Sequence, residues 1–447
     1  MSKQQQGTAT AAVGEGATVA ALSASAWRLI LLASLGGALE FYDFVVYSQF
    51  AQYIGAAFFP SEDPLVSLII SFGAFALGYL ARPLGGVFFS HIGDRFGRRK
   101  VLVSTVLLMS AATAGIGLLP TYADWGLLAP VCLLLLRLLQ GFCLGGELPG
   151  AIAYVVETAP RRFGFSVGII FFCVNLGIAL AAFLNWIVHE TLVAEQIADW
   201  GWRIGFLAGG AFGIVSFFLR LSLEESREFA RIRAIGRASA LPVAELFRSY
   251  PAATLVGVGV LAVTAGFNGL LFAMPAYLPQ TMGYQPLEAI RAQLLGLGVL
   301  SVCLLWVAWL SDRWPRRTLV LLGSSLMLLL AYPFFLAAES RSISLPLLFA
   351  LVGLVAGLCN GTVIGVCADL FPTHIRFTGV AMSFNLSFSL LSGLAPVLST
   401  WLARQTGEPT SAAFYMIGCA ALSLAAGLVM QRYDGRILAD LAVPDGR

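Results

Sequence analysis

Apolar residues in this chain come in long, nearly uninterrupted runs, and the polar residues collect in short stretches between them. Crossing the hydrocarbon core of a bilayer takes about 20 residues of helix. Runs of that order fall at 27–51, 65–90, 101–119, 126–156, 164–188, 202–221, 252–279, 290–310, 317–337, 344–368, 377–402 and 411–431. They predict an all-α membrane protein with twelve transmembrane helices. Residues 1–26 are rich in Gln, Gly, Ala, Thr and Ser and read as a disordered tail. The first apolar run is too long for a signal-peptide core, so no cleavage is expected.

Composition agrees with a lipid-facing surface. The 447 residues are 58% hydrophobic and 11% charged, with mean hydropathy +0.84. A soluble domain carries roughly a quarter charged residues. The net charge is +3, with 25 Arg against 2 Lys, and these sit in short loops, not on one basic face, so no nucleic-acid partner is expected. The seven cysteines all lie in apolar runs without CxxC or zinc-type spacing. They read as small buried hydrophobes, with no disulfide, metal or cofactor.

Arginine placement sets an expected orientation. One set of loops carries Arg95, Arg98, Arg99 and Lys100, then Arg161 and Arg162, six arginines from Arg220 to Arg248, Arg313, Arg316 and Arg317, and Arg376. The opposite loops hold Arg291, Arg341 and Arg404 among the acids Glu62, Asp63, Asp124, Glu190, Glu195 and Asp199. The first set is predicted to be cytoplasmic, together with both termini.

The chain also repeats itself. Asp94-Arg95-Phe96-Gly97-Arg98-Arg99 returns as Asp312-Arg313-Trp314-Pro315-Arg316-Arg317. Glu157-Thr-Ala-Pro160 returns as Asp369-Leu-Phe-Pro372, at nearly the same offset. This predicts two six-helix halves, 27–221 and 252–431, joined by a cytoplasmic linker at 222–251 with short surface helices, and a tail at 432–447.

With these motifs the chain resembles the major facilitator superfamily, whose halves rock about a site near the bilayer midplane. Further residues narrow the resemblance: Leu39-Glu40-Phe41-Tyr42-Asp43-Phe44 with Phe58-Phe59-Pro60, Ala81-Arg82-Pro83-Leu84-Gly85-Gly86, Arg137-Leu-Leu-Gln140-Gly141-Phe142 with Gly145-Gly146-Glu147, and Trp200-Gly201-Trp202-Arg203. Together they are similar to the metabolite:proton symporter family, which imports citrate, 2-oxoglutarate, shikimate and related acids, or proline and betaine. Ser90, Ala308, Pro315 and Gly205 depart from the family pattern. The resemblance implies no cofactor beyond a coupling ion, protons in the main reading with sodium left open. It implies two Asp-Arg gates on the cytoplasmic side, from Asp94, Arg95, Arg98 and Arg99 and from Asp312 and Arg313. No obligate protein partner is evident.

Charged groups in the helix interiors are the candidate chemistry, because each costs ~2.5–3.5 kcal/mol or more at the bilayer centre. Glu40 and Asp43 share one face of the first helix, and Glu40 lies roughly 20 Å along that helix from Trp27. Glu147 lies about 15 Å of helix before Glu157. All three histidines (His91, His189, His374) fall in or at loops, so a carboxyl group must carry any coupled proton. Desolvation disfavours the anion and brings such a group within reach of physiological pH. Glu40, Asp43 and Glu147 are the candidates. The alternative is that they pair permanently with Arg82 or Arg137. Those two arginines offer bidentate forks for a substrate carboxylate. Tyr42, Asn360 and Asn385 are expected to complete the site, although each such group is by default a helix–helix hydrogen bond.

The expected function is proton-coupled import of a small organic acid anion, with a proline/betaine-type zwitterion as the alternative. Two rivals are weaker. A drug:proton antiporter would carry a Gly-Pro element in the fifth helix, where Gly168 to Gly177 holds no proline. A non-transporting sensor would carry a signalling domain. Osmoprotectant transporters of the family bear a long coiled-coil C-terminal extension. Here only a short stretch, ending at Arg447, follows the last apolar run, which tips the expectation toward acids.

Overall fold

The computed structural model describes residues 24–96, 98–146, 163–221, 242–372 and 375–433, which are helical almost throughout. The long helices are α1 Ala24–Gln49, α2 Pro64–Phe96, α3 Arg98–Leu118, α4 Leu128–Leu144, α5 Phe163–Thr191, α6 Trp202–Leu221, α7 Pro251–Met282, α8 Pro286–Ser311, α9 Arg316–Glu339, α10 Leu345–Asn360, α11 Arg376–Ser387 and α12 Ala412–Val429. After a short turn α10 continues as Val363–Asp369, and α11 passes through a π turn at Phe388–Ser392 into Ala395–Thr406. Among the described residues, nine segments are long and apolar enough to cross a membrane. Helix α1 and the shorter apolar stretches Val103–Leu118 and Leu128–Leu144 stand beside them.

An apolar run becomes a helix here because lipid offers the backbone no hydrogen-bond partner, so every N–H and C=O must be satisfied within the segment. Proline interrupts that ladder inside α2 at Pro83, inside α7 at Pro275 and Pro279, and inside α9 at Pro333. Helix α7 stops at Gly283, whose φ of 64° is open to glycine and costly for a residue with a Cβ. Several helices outrun the apolar stretches that announce them: α2 continues to Phe96 and α5 spans Phe163–Thr191. Leu84, Leu107, Leu118, Val302 and Leu329 leave more than half of their surface outside the bundle. In water that would be an aggregation surface; facing lipid it is the expected exterior.

Helix packing repeats with a period of six. Helix α2 lies on α4 as α8 lies on α10, and α3 lies on α6 as α9 lies on α12. The halves meet where α2 packs on α11 and where α5 packs on α8. Glycine sets the closest crossings. A Cβ on Gly141 would strike the Gly78 carbonyl, and one on Gly145 would strike the Arg82 carbonyl, so α2 and α4 touch backbone to backbone. The corresponding contact of α8 with α10 runs through Gly296, Gly353 and Gly357.

Candidate functional site

The α2–α4 crossing places two arginines in the interior, Arg82 and Arg137, and neither has any exposed surface. Their surroundings differ. Arg137 donates from Nη1 to the Gln140 side-chain oxygen at 2.7 Å and reaches the Phe44 carbonyl at 3.4 Å. Its guanidinium carbon lies 4.5, 4.4 and 5.2 Å from the ring centres of Phe44, Tyr47 and Phe75. Arg82 makes no hydrogen bond among the described residues through any of its three side-chain nitrogens. Three rings surround it at longer range, Tyr79 of its own helix at 5.3 Å and Phe384 and Phe388 of α11 and its π turn at 5.4 and 5.9 Å. Arg82 thus faces the second half across the interface, whereas Arg137 is packed within the first.

The buried acids separate in the same way. Glu40 lies 3.1 Å from Nη2 of Arg220, both side chains almost wholly buried, although the pair is not aligned as a hydrogen bond. Glu40 thus pairs with neither Arg82 nor Arg137, the pairing raised from sequence as the alternative to proton coupling. One expectation is corrected: Arg220, counted from sequence among the loop arginines, is a buried residue of α6. Asp43 sits where α1 meets Thr113 of α3 and Gly209 of α6, and has no cationic partner among the described residues. Thr113 joins it to Arg137 indirectly, since Gln140 donates to the Thr113 hydroxyl at 2.8 Å while bonding Arg137. Glu147, the third candidate acid, lies outside the described residues.

The neutral candidates behave as helix–helix links. The Tyr42 hydroxyl donates to the Gly205 carbonyl at 2.7 Å, and its ring meets Phe212 edge-on, so Tyr42 belongs to the α1–α6 packing and not to the interface of the halves. Asn360 accepts from Asn268 at 3.5 Å and donates to the Ala356 carbonyl at 2.9 Å. Asn385 donates to the Gly145 carbonyl at 3.1 Å, and Ser389 donates to the Tyr79 carbonyl at 2.6 Å. Those two bonds cross between the halves beside Arg82.

Both ends of the interface are tied. At the arginine-rich end, Asp312 accepts from the backbone N–H groups of Gly164 at 2.9 Å and Phe165 at 3.1 Å, which open α5. A carboxylate there satisfies orphan donors and meets the positive end of the helix dipole. Arg316 lies 3.4 Å from Asp312 and 3.0 Å from Asp369, while Arg313 stacks 3.7 Å over Trp309. Asp94 and Arg95 fall in the last turn of α2 and Arg98 and Arg99 open α3; their side chains lie outside the described part of the structure. At the far end, Asp63 meets Arg404 at 3.0 Å and Glu190 meets Arg291 at 2.9 Å. In both pairs the acid comes from the first half and the base from the second. Hydrogen bonds from Arg404 and from the Leu65 N–H hold the Asp63 carboxyl below its ordinary range.

Sequence reasoning missed Arg220, Tyr79, Phe384, Phe388 and Ser389. The usable signal was the one-turn spacing of Phe384 and Phe388, which stacks one ring on the other at 4.2 Å. No group of three or more His, Cys, Asp or Glu side chains among the described residues is arranged to hold a metal.

Comparison with known proteins completes the picture. The Major Facilitator Superfamily profile matches residues 33–396. A proline/betaine transporter of Salmonella typhimurium is 34% identical over 92% of this chain and 84% of its own length. A glycine betaine/proline/ectoine/pipecolic acid transporter of Dickeya dadantii is also 34% identical, over 90% of this chain and 83% of its own. Among solved structures, a D-xylose-proton symporter superposes with a TM-score of 0.72 at 18% identity, covering 91% of this chain and 98% of that one, a likeness of fold.

Proposed function

We propose that this chain, which belongs to the major facilitator superfamily and is a multi-pass membrane transporter and not an enzyme, imports a small zwitterion of the proline/betaine type together with protons. The twelve long helices among the described residues are read as twelve spans, with the arginine-rich loops and both termini in the cytoplasm. The observation that carries the reading is Arg82, a fully buried guanidinium at the interface of the halves without a hydrogen-bond partner among the described residues. One free fork suits one carboxylate. The organic acid anion expected from sequence is therefore given up in favour of the zwitterion. A di- or tricarboxylate calls for further cations, but Arg137 is already engaged with Gln140 and Arg220 with Glu40. The curated relatives point the same way.

In this cycle the far-end ion pairs part, substrate enters and its carboxylate meets Arg82. Asp43 carries the proton, since Glu40 is held by Arg220. Closure of the far end and release of Asp312 from α5 then open the cytoplasmic side. Uptake of labelled proline and betaine by purified protein in liposomes tests the reading. Uptake that an inward proton gradient drives supports it. Accumulation of citrate or 2-oxoglutarate with no zwitterion uptake overturns it.

A further inference from the structure

We infer that Phe384 and Phe388, with Tyr79, form the seat for the ammonium group of the substrate, and that Arg82 occupies this seat in the empty carrier. The inference rests on the zwitterion reading and assigns residues to the half of the substrate that Arg82 does not explain. A guanidinium is weakly hydrated and stacks on aromatic faces, so a buried one lacking hydrogen bonds settles where rings offer negative faces. Arg82 does this at 5.3 to 5.9 Å from three ring centres, near the outer limit of about 6 Å for such contacts. Arg137 shows the tight version, with two rings at 4.4 and 4.5 Å and hydrogen bonds as well. Among the described residues Arg82 is held loosely, by rings alone, and two of its three rings belong to the other half.

The substrate can take over that seat without leaving a charge unmatched. When its carboxylate draws the Arg82 fork, the guanidinium swings off Phe384 and Phe388. The ammonium group, a bond or two from the carboxylate, then lies against the vacated rings. The rings hold one cation before and after binding, and the substrate bridges the halves from Arg82 on α2 to the aromatic pair on α11. The pair adjoins the π turn Phe388–Ser392, and such turns recur at functional sites. The neighbouring Ser387 hydroxyl lacks a hydrogen-bond partner among the described residues. The ligand class follows from desolvation. An N-methylated or ring ammonium sheds water more readily than a primary one, so aromatic seats favour quaternary and secondary ammonium carboxylates.

The test is uptake into liposomes by the full-length chain of glycine and its mono-, di- and trimethylated forms, with 3,3-dimethylbutanoate, an isosteric carboxylate in which a neutral carbon replaces the ammonium nitrogen of the trimethylated compound, as competitor. For wild type, KM should fall with each added methyl group, and the isostere should compete at least about tenfold more weakly than betaine. Phe384→Leu and Phe388→Leu keep apolar volume but lose the ring. Each should raise the betaine KM by about tenfold, leave the maximal rate within about twofold and compress the methylation series, while Phe384→Tyr and Phe388→Tyr restore it. Equal competition by the isostere, or leucine variants that lose rate uniformly while keeping wild-type selectivity, would overturn the aromatic seat and leave the transport reading intact. Failure of the wild type to move any member of the series would instead overturn the zwitterion reading itself.

Discussion

At the crossing of α2 and α4, Gly78, Gly141 and Gly145 bring the backbones together, and the residues beside the contact are Arg82 and Arg137. At the crossing of α8 and α10, Gly296, Gly353 and Gly357 do the same, at the positions that the two motif repeats bring into register with the first three. In that register Leu300 and Phe349 stand where Arg82 and Arg137 do, and both are buried. Glu40, Asp43, Arg82, Arg137 and Arg220 are the buried charged residues among those described, and every one lies in the first half. The second half offers Asn268, Gln293, Asn360 and Asn385. One scaffold, duplicated, thus carries ions in one copy and apolar or neutral groups in the other. The packing glycines keep the scaffold, and the positions next to them are free to specialise. A charge is tolerated beside the interface only where it has work or a partner, because its burial is costly.

The sharpest way to break this comparison is to remove the charges one at a time. Arg82→Gln should reduce zwitterion uptake at least about 100-fold without lowering thermal stability, since it removes a buried cation whose side chain has no hydrogen bond to lose among the described residues. Arg137→Gln should do the reverse in kind and lower the unfolding temperature by roughly 5 °C, because Gln140 and the Phe44 carbonyl lose their donor. Uptake assays paired with thermal unfolding in detergent read both. Equal loss of stability in the two variants would erase the distinction between them.

Asp43→Asn comes next. It should abolish accumulation driven by a pH gradient while sparing exchange of labelled for unlabelled substrate, which needs no net proton movement. Glu40→Gln should lower stability by removing the carboxylate that faces the buried Arg220, with thermal unfolding in detergent as the readout. In the neutral second half, Asn360→Ala should shift KM by no more than about threefold, as expected for one interhelical hydrogen bond.

The smallest effects belong to the far-end ion pairs. The Asp63 carboxyl is held below its usual range by Arg404 and the Leu65 N–H. The contribution of a depressed acid is complete above its ordinary value of about 3.9 and is lost as pH falls through the lower folded value. The Asp63–Arg404 pair should therefore add no pH dependence between about pH 5 and 8, and Asp63→Asn should leave the pH profile of uptake unchanged, with KM within about twofold of wild type. High salt should mimic that variant by screening. A profile displaced by Asp63→Asn would move proton coupling out of the helix interior.

The all-α membrane fold was legible in the sequence because apolar run length is a one-dimensional signal. The two repeated motifs even locate the matching glycine crossings. Pairings across helices were not legible. Glu40 on α1 and Arg220 at the end of α6 are far apart along the chain, and nothing local tells a buried terminal arginine from a loop arginine, so Arg220 was misplaced. Tyr42 was expected among the polar groups that complete the site, yet its hydroxyl points to Gly205 of α6. Phe384 and Phe388 were invisible as candidates because aromatic residues in an apolar helix are ordinarily packing. Only the placement of α2 against α11 makes them neighbours of an arginine.

The most direct test of the central claim is substrate-dependent uptake by the purified chain in liposomes, with labelled betaine, proline, citrate and 2-oxoglutarate compared with and without an inward proton gradient. Gradient-driven accumulation of betaine or proline that Arg82→Gln abolishes is the expected result. Accumulation of a dicarboxylate that survives Arg82→Gln would contradict it.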